Sequence, residues 1–518
     1  MRSIEEQGIW FLPDNPQKEI NGQLTFTAEE HPKVYLLGQL QSIDFDNAIP
    51  RKLEFDILNG YLVNGKKVTL CNCYQPVEFK TGIQTSTVYA KYLIIGHHFK
   101  TLKEIYLNGV SLRYKNLEYW LDLPNLEISD ADVQGDSYEE INVKQKPLDD
   151  INLGKLYGSS LILHDRPIFL GKLLQIFYAD RKIVLEEKKS IVIQPNEEKN
   201  KNLEDIVNVI YLFQKLLIFA FGQMTYPYDI KSSIIAPEKK LSIPDHIKSA
   251  LMEGSIGAEK TIESDLGFEI ESFGEEIKVI EEEKEVTVQL QIYFKVGDCE
   301  NLDAKLDLQR VLFRFKDVKC KFEQLLSSWE EKSKKLEPVI DLYLRSIYIP
   351  KRHIHDFFLS LAQAIEAFHS LEHDGIYIDK NVYKKEVRSK LYKAIDSIPD
   401  DILKEEYKKK FKEEKIPQLN RFSLRERLEE IIHEYKSCLP DNFFVSPEDK
   451  DDFLKKIRRT RNHLTHSSSE PDKNVATGQD LLILTRRLRI LLEVCLLKEL
   501  GLKDVVIKTV IANNRMWR

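Results

Sequence analysis

The hydrophobic period of this chain changes near Leu306, and that change limits what it can fold into. Before it, apolar residues come in short β-branched and aromatic runs, the texture of strands. After it they recur every three or four residues, the repeat of a buried helix face. The runs 24–27, 33–40, 53–57, 61–63, 68–73, 87–95 and 104–112 are mostly bounded by Gly, Asn or Pro. Asn64-Gly65 and Asn108-Gly109 each lie between two such runs. Both predict type I′ hairpins, whose central positions need positive φ. Beyond an acidic, apolar-poor stretch at 129–140, strands are expected at 161–163, 168–170, 174–178, 182–185 and 190–193. Residues 202–222 read as a helix opened by Asn202, with Glu204 and Asp205 in its first turn, and closed by Gly222. A charged segment at 271–285 leads into a strand at 286–296.

After Leu306, segments 311–335 and 337–348 have helical composition. Ile354, Phe357, Phe358, Leu361, Ile365 and Phe368 mark one face of a helix over 353–371. Helices are also expected at 383–395, 401–411 and 423–435, the last opened by a Ser423/Glu426 capping box. Ser446-Pro447-Glu448-Asp449 starts another, with Ser at the cap, Pro first and acids at the positive dipole end. The helix over 478–500 is apolar on nearly every side, so it must be central or lie at a subunit contact; we read it as favouring a homodimer. The expectation is an α+β multidomain chain. A β-rich N-terminal region, an antiparallel sheet or sandwich with a break near 125–155, occupies 1–305, and an all-α bundle occupies 306–518.

The chain has 518 residues and a net charge of −7, which argues against a protein that coats nucleic acid; any RNA contact must be local. No apolar run reaches the roughly eighteen residues of a membrane span. The first residues lack a signal core, so a cytoplasmic location is expected. Six cysteines are too few for a disulfide framework. Cys71 and Cys73 read as small buried strand residues, since no convincing zinc spacing joins them to His97-His98. No phosphate-binding glycine loop is present, and no cofactor or metal is expected.

The chemistry concentrates in Ile457-Arg458-Arg459-Thr460-Arg461-Asn462-His463-Leu464-Thr465-His466. Arginine offers phosphate a permanently charged fork, and histidine can exchange a proton near neutrality. The combination suits cleavage of RNA by its own 2′-hydroxyl without a metal. On an ideal helix Arg461 and His466 stand roughly 140° apart. Asn462 shares a face with His466, as do Arg459 and His463. Arg461 would then reach in only by its length or through a loosened last turn, which the serines at 467–469 favour. The competing reading is a solvated basic helix end that complements the dipole.

Arg461-Asn462-His463-Leu464-Thr465-His466 resembles the R-x4-6-H signature of HEPN domains. The opening Gly8-Ile9-Trp10-Phe11-Leu12-Pro13, with Gly22-Gln23-Leu24 and the run 60–73, is similar to the N-terminal part of ApeA-type antiphage proteins, which carry a C-terminal HEPN domain. The resemblance implies a helical bundle that dimerises with its motifs facing each other, and a metal-independent endoribonuclease of abortive antiphage defence. The substrate would be RNA, tRNA among the candidates, and the N-terminal region would sense a phage-derived trigger. In that reading His466 is general acid or base, Arg461 stabilises phosphate charge and Asn462 orients either. His463, Arg459 and Glu366 are candidate supports, Glu366 by positioning Arg461 unless it is only a solvated acid. Arg486, Arg487 and Arg489 are candidate RNA-backbone contacts or, equally, solvated surface charge. Two alternatives stay open: a non-catalytic scaffold for dimerisation and RNA binding, and a metal-dependent hydrolase.

Overall fold

The structure is a computed structural model. It describes residues 3–41, 51–77, 84–123, 126–129, 133–134, 137–138, 142–146, 148–165, 175–177, 182–184, 189–196, 202–242, 280–296, 305–348, 353–466 and 474–513. The chain forms two compact units, one of residues 1–110, 200–203 and 230–295, the other of 111–199, 204–229 and 296–518. The expected strand at 168–170 and the serines at 467–469 lie outside the described residues.

The first unit is built on β1 (Ile4–Leu12), β2 (Asn15–Phe26), β3 (Lys33–Leu36), β4 (Lys52–Leu62), β5 (Lys67–Pro76) and β6 (Ser86–Ile95). All neighbours are antiparallel, in the cyclic order β1-β2-β3-β6-β5-β4 and back to β1. The result is a closed six-stranded barrel, the expected antiparallel sheet curled until its edges meet. Trp10, Leu24, Val34, Leu58, Leu70 and Leu93 fill it, each buried. Cys71 and Cys73 are buried on β5, and burial pushes both thiol pKa values up. β1 and the polar first half of β2 were not anticipated, because the pattern there does not alternate cleanly. The strand Ile280–Phe294 pairs with Pro227–Ser242 and continues onto β6, from Gln291 opposite Ile95 to Phe294 opposite Tyr92.

Both Asn-Gly expectations need correction. At Asn64-Gly65 a hairpin forms, but as a three-residue loop. Gly65 N–H donates to the Leu62 carbonyl at 2.8 Å, and Gly65 alone has positive φ, 77°. Asn108-Gly109 makes no hairpin: Leu102–Glu104 is a 3₁₀ turn and Tyr106 bridges Asn202. A two-residue turn with both central φ values positive occurs instead at Tyr157 (48°) and Gly158 (75°), in the second unit.

That turn joins Ile151–Leu156 to Ser159–Asp165, which also pairs with Lys189–Gln194. The long helices of this unit are α1 (Leu203–Phe221), α2 (Phe322–Lys335), α3 (Glu337–Tyr348), α4 (Ile354–Glu372), α5 (Leu424–Glu434), α6 (Pro447–His466), α7 (Gly478–Glu499) and α8 (Asp504–Asn513). α8 was not expected. The segments 383–395 and 401–411 are broken, with π turns at Tyr383–Arg388 and Phe411–Lys415 beside the short helices Ser389–Asp396 and Glu405–Lys410.

The compact units do not divide at residue 305. Phe219 of α1 stacks on Trp329 of α2, with centroids 5.9 Å apart, and meets Tyr343 of α3 edge-on at 5.5 Å. Trp120 Nε1 donates to the Phe313 carbonyl at 2.8 Å. Large aromatic faces need partners that cover them, and these partners come from across the expected boundary. α7 is central: Leu481, Leu488, Leu491, Leu492, Val494 and Leu497 are fully buried within the one chain. The apolar girth that suggested a subunit contact is thus consumed internally. Among the described residues no helix is long and apolar enough to cross a membrane.

Candidate active site

The motif helix α6 is set at its first turn. Ser446 Oγ accepts from Asp449 N–H at 3.2 Å, and Asp449 accepts in return from Val445 N–H at 3.1 Å. Phe453, Leu454, Ile457 and Thr460 form the buried face, at the expected helical spacing. Thr460 Oγ1 also accepts from Ala476 N–H at 2.9 Å, pinning the chain just before α7. Sequence reasoning passed over Thr460, which occupies the one inward position inside a polar cluster.

α6 stays helical through His466, so the last turn does not loosen. Asn462 and His466 are both exposed, as expected for residues four apart on one face. Arg459 is exposed and His463 half-buried. Arg461 goes elsewhere. Its Nη2 lies 3.3 Å from the Glu366 carboxylate on α4, and its Nη1 donates to Asn462 Oδ1 at 3.3 Å. Within one chain the structure therefore joins Arg461 to Glu366, not to His466. Both motif ends remain open to solvent: Arg461 is partly exposed, and His466 makes no hydrogen bond or ion pair among the described residues.

Glu366 is held from behind. Its carbonyl accepts from Ser370 Oγ at 2.9 Å and from Arg427 Nη1 at 3.3 Å. Arg427, on α5, also donates from Nε to the Phe422 carbonyl at 3.0 Å and from Nη1 to Ser370 Oγ. Burial lowers the Arg427 pKa. Next to it, fully buried His369 places Nε2 2.7 Å from Glu430 Oε2. Burial pulls its pKa down, partly opposed by Glu430. Arg427 was not singled out from the sequence. His369 follows Ile365 and Phe368 on the buried face of α4, and that spacing was the available signal.

Two of the expected RNA contacts are corrected. Arg487 faces inward, with Nη1 and Nη2 at 2.8 and 3.0 Å from the Asp449 carboxylate and Nη2 also 2.9 Å from the Phe443 carbonyl. Its guanidinium lies over Phe443, Phe444 and Phe453 at 5.5, 5.0 and 4.7 Å. Arg489 donates from Nε to buried Glu493 at 2.7 Å and from Nη2 to Tyr343 at 3.2 Å, while Tyr343 Oη donates to the same Glu493 at 2.6 Å. Helix period sends positions 487 and 489 toward neighbours, and a charge forced inward must be paired there. Arg486 alone of the three is exposed.

Two comparisons with known families fit this arrangement. Residues 5–248 match the family described as ApeA N-terminal domain 1. Residues 359–505 match the Apea-like HEPN family. The second match contains Glu366, Arg461, Asn462, His463 and His466. No curated protein and no solved structure matches the chain.

Proposed function

Because this chain is an ApeA-like protein with a C-terminal HEPN domain, we propose that it is a metal-independent endoribonuclease of antiphage defence acting in the cytoplasm. His466 exchanges a proton with the attacking 2′-hydroxyl or the leaving 5′-oxygen, and Arg461 stabilises the charge that develops on phosphorus. Asn462, on the same exposed face as His466, orients the imidazole or the phosphate. Glu366 positions Arg461. The observation that carries the reading is the open end of α6, where a carboxylate-held arginine and a solvent-facing histidine stand five residues apart.

Their divergence within one chain supports a site assembled from two copies. Each α6 would contribute its His466 to one side of the phosphodiester while the arginines close from the other. One imidazole cannot easily serve both reacting oxygens, and a facing motif supplies the second. The 2′-hydroxyl requirement makes DNA a poor substrate. The barrel unit is proposed to sense a phage product and to restrain or release this activity.

The test is incubation of purified protein with total RNA, in EDTA, followed by mapping of the cut ends. We expect 2′,3′-cyclic phosphate ends. His466→Ala and Arg461→Ala should each lower the rate by about 100-fold or more with the fold intact. Wild-type protein that binds RNA and leaves it whole under every condition would favour the non-catalytic scaffold, and activity lost to EDTA would favour a metal-dependent hydrolase.

A further inference from the structure

Between Gly375 and Phe422 the chain leaves the bundle as a helical arm. Its two ends are zipped together: Phe422 N–H donates to the Gly375 carbonyl at 2.9 Å, and Tyr377 N–H to the Asn420 carbonyl at 3.1 Å. The Asn420 side chain accepts from Ile378 N–H at 3.0 Å and donates to the Ile378 carbonyl at 2.7 Å. The limbs, 383–396 and 405–415, are tied by Tyr392 Oη donating to the Lys412 carbonyl at 2.7 Å and by the Lys412–Asp396 ion pair. The arm is rooted beside the motif. Arg427 bonds the Phe422 carbonyl at its stem and the carbonyl of Glu366, the residue that holds Arg461.

The arm differs in charge from the rest of the protein. Residues 380–415 hold twelve Lys and Arg against eight Asp and Glu, a net charge of +4 in a chain of −7. Tyr407 and Phe411 are 49% and 42% exposed. Four residues apart, they share a face, and Lys404 lies about one turn before Tyr407 on that face. Lys410 is exposed on the side of the two rings, about 60° from Tyr407 around the helix, while Lys409 is exposed on the opposite side. Lys408 and Lys412 are taken up by Asp400 and Asp396, whereas Lys404, Lys409 and Lys410 make no ion pair among the described residues.

Solvent-facing rings interleaved with unpaired lysines fit one ligand chemistry well: a single-stranded polynucleotide, whose bases stack on the rings while its phosphates meet the ammonium groups. A protein-binding patch has a different composition, with a core depleted of lysine. We propose that this arm is the RNA-docking surface of the protein and that it feeds an unpaired stretch of substrate to the neighbouring motif. The inference rests on the nuclease reading for what happens after docking, but not for docking itself.

The experiment uses the full chain with His466→Ala, so that RNA is not consumed. Binding of a fluorescent single-stranded RNA of about 20 nucleotides and of its duplex is read by anisotropy across a salt series. Two arm variants are compared with this parent: Tyr407→Ala with Phe411→Ala, and Lys404→Glu with Lys410→Glu. The lysines are exposed, so that pair should melt with the parent; the rings are each about half covered, so the aromatic pair is assayed at a temperature well below its own melting point. We expect the aromatic pair to weaken single-strand binding about tenfold or more, with a smaller effect on duplex. The lysine pair should flatten the dependence of log K on log salt by about one to two. Parent-like RNA affinity in both variants overturns the proposal, as does a parent that binds no RNA. A changed oligomeric mass with unchanged RNA affinity overturns it in favour of a protein contact. The two readings fail separately. If the chain carrying His466 cuts no RNA while the arm variants lose affinity, docking stands and the nuclease falls; if the variants bind like their parent and the same arm substitutions in the chain carrying His466 leave cutting normal, the reverse holds.

Discussion

Arg487→Ala separates two readings of the same residue. As an RNA contact, Arg487 should matter for binding and not for folding. In the structure it joins α7 to the start of the motif helix through two bonds to Asp449, one to the Phe443 carbonyl and three aromatic faces. Breaking a fully buried ion pair costs about 3–5 kcal/mol. The Arg487 and Asp449 side chains keep 16% and 29% of their exposure, so solvent recovers part of that. We expect a loss of about 2–4 kcal/mol, cation–π contacts included. In a unit of this size that lowers the melting temperature by roughly 3–6 °C.

The pH dependence gives a second reading of the same contact. The bond from Arg487, helped by the Val445 N–H, holds the Asp449 carboxyl below its usual range. A depressed folded-state pKa means stability that is complete above the unfolded value, about 3.9, and lost as pH falls through the lowered one. The gap between wild type and Arg487→Ala should therefore be full at pH 7 and shrink below about pH 4. Calorimetry and urea unfolding over this range test it, with Arg487→Lys, which keeps charge but loses the fork, falling between. A variant that melts with the wild type and shows only a shallower salt dependence of RNA binding would refute the structural assignment.

Two further outcomes are expected. Gly222 closes α1 at φ +60°, and an added Cβ would lie 2.3 Å from the Arg310 carbonyl oxygen; Gly222→Ala should destabilise by about 2 kcal/mol or more, measured as a shift in urea midpoint, and an unchanged midpoint would contradict that geometry. His369 has its pKa lowered, chiefly by burial, so its contribution is complete above the unfolded value of about 6.5 and is lost as pH falls toward the lowered one. Unfolding of wild type between pH 7.5 and 5 should show this loss and His369→Gln should not, while equal slopes would mean that His369 titrates normally.

The helices were legible where a cap and an apolar face agreed. Ser423 and Glu426 form the expected capping box, and α6 begins at Pro447. Local signals failed where distant partners decided. Asn108-Gly109 carries a strong hairpin dipeptide, but Leu102–Glu104 coils as a 3₁₀ turn ahead of it and no strand is there to pair. At the site, the sequence placed Asn462 with His466 and set Arg461 apart, because helical spacing is a local property. That Arg461 would meet Glu366, 95 residues earlier, depended on how α4 packs against α6.

The amino-acid sequence by itself determined the division of textures, the motif and its place at a helix end, since period, caps and side-chain chemistry act within a few residues. Tertiary structure decided that the sheet closes into a barrel, that α7 is covered by its own chain, and that two of three neighbouring arginines are internal. Those outcomes depend on which surfaces exclude water from one another. An inward charge is paired and an apolar face covered only once the packing brings the partner, and no stretch of chain carries that information alone.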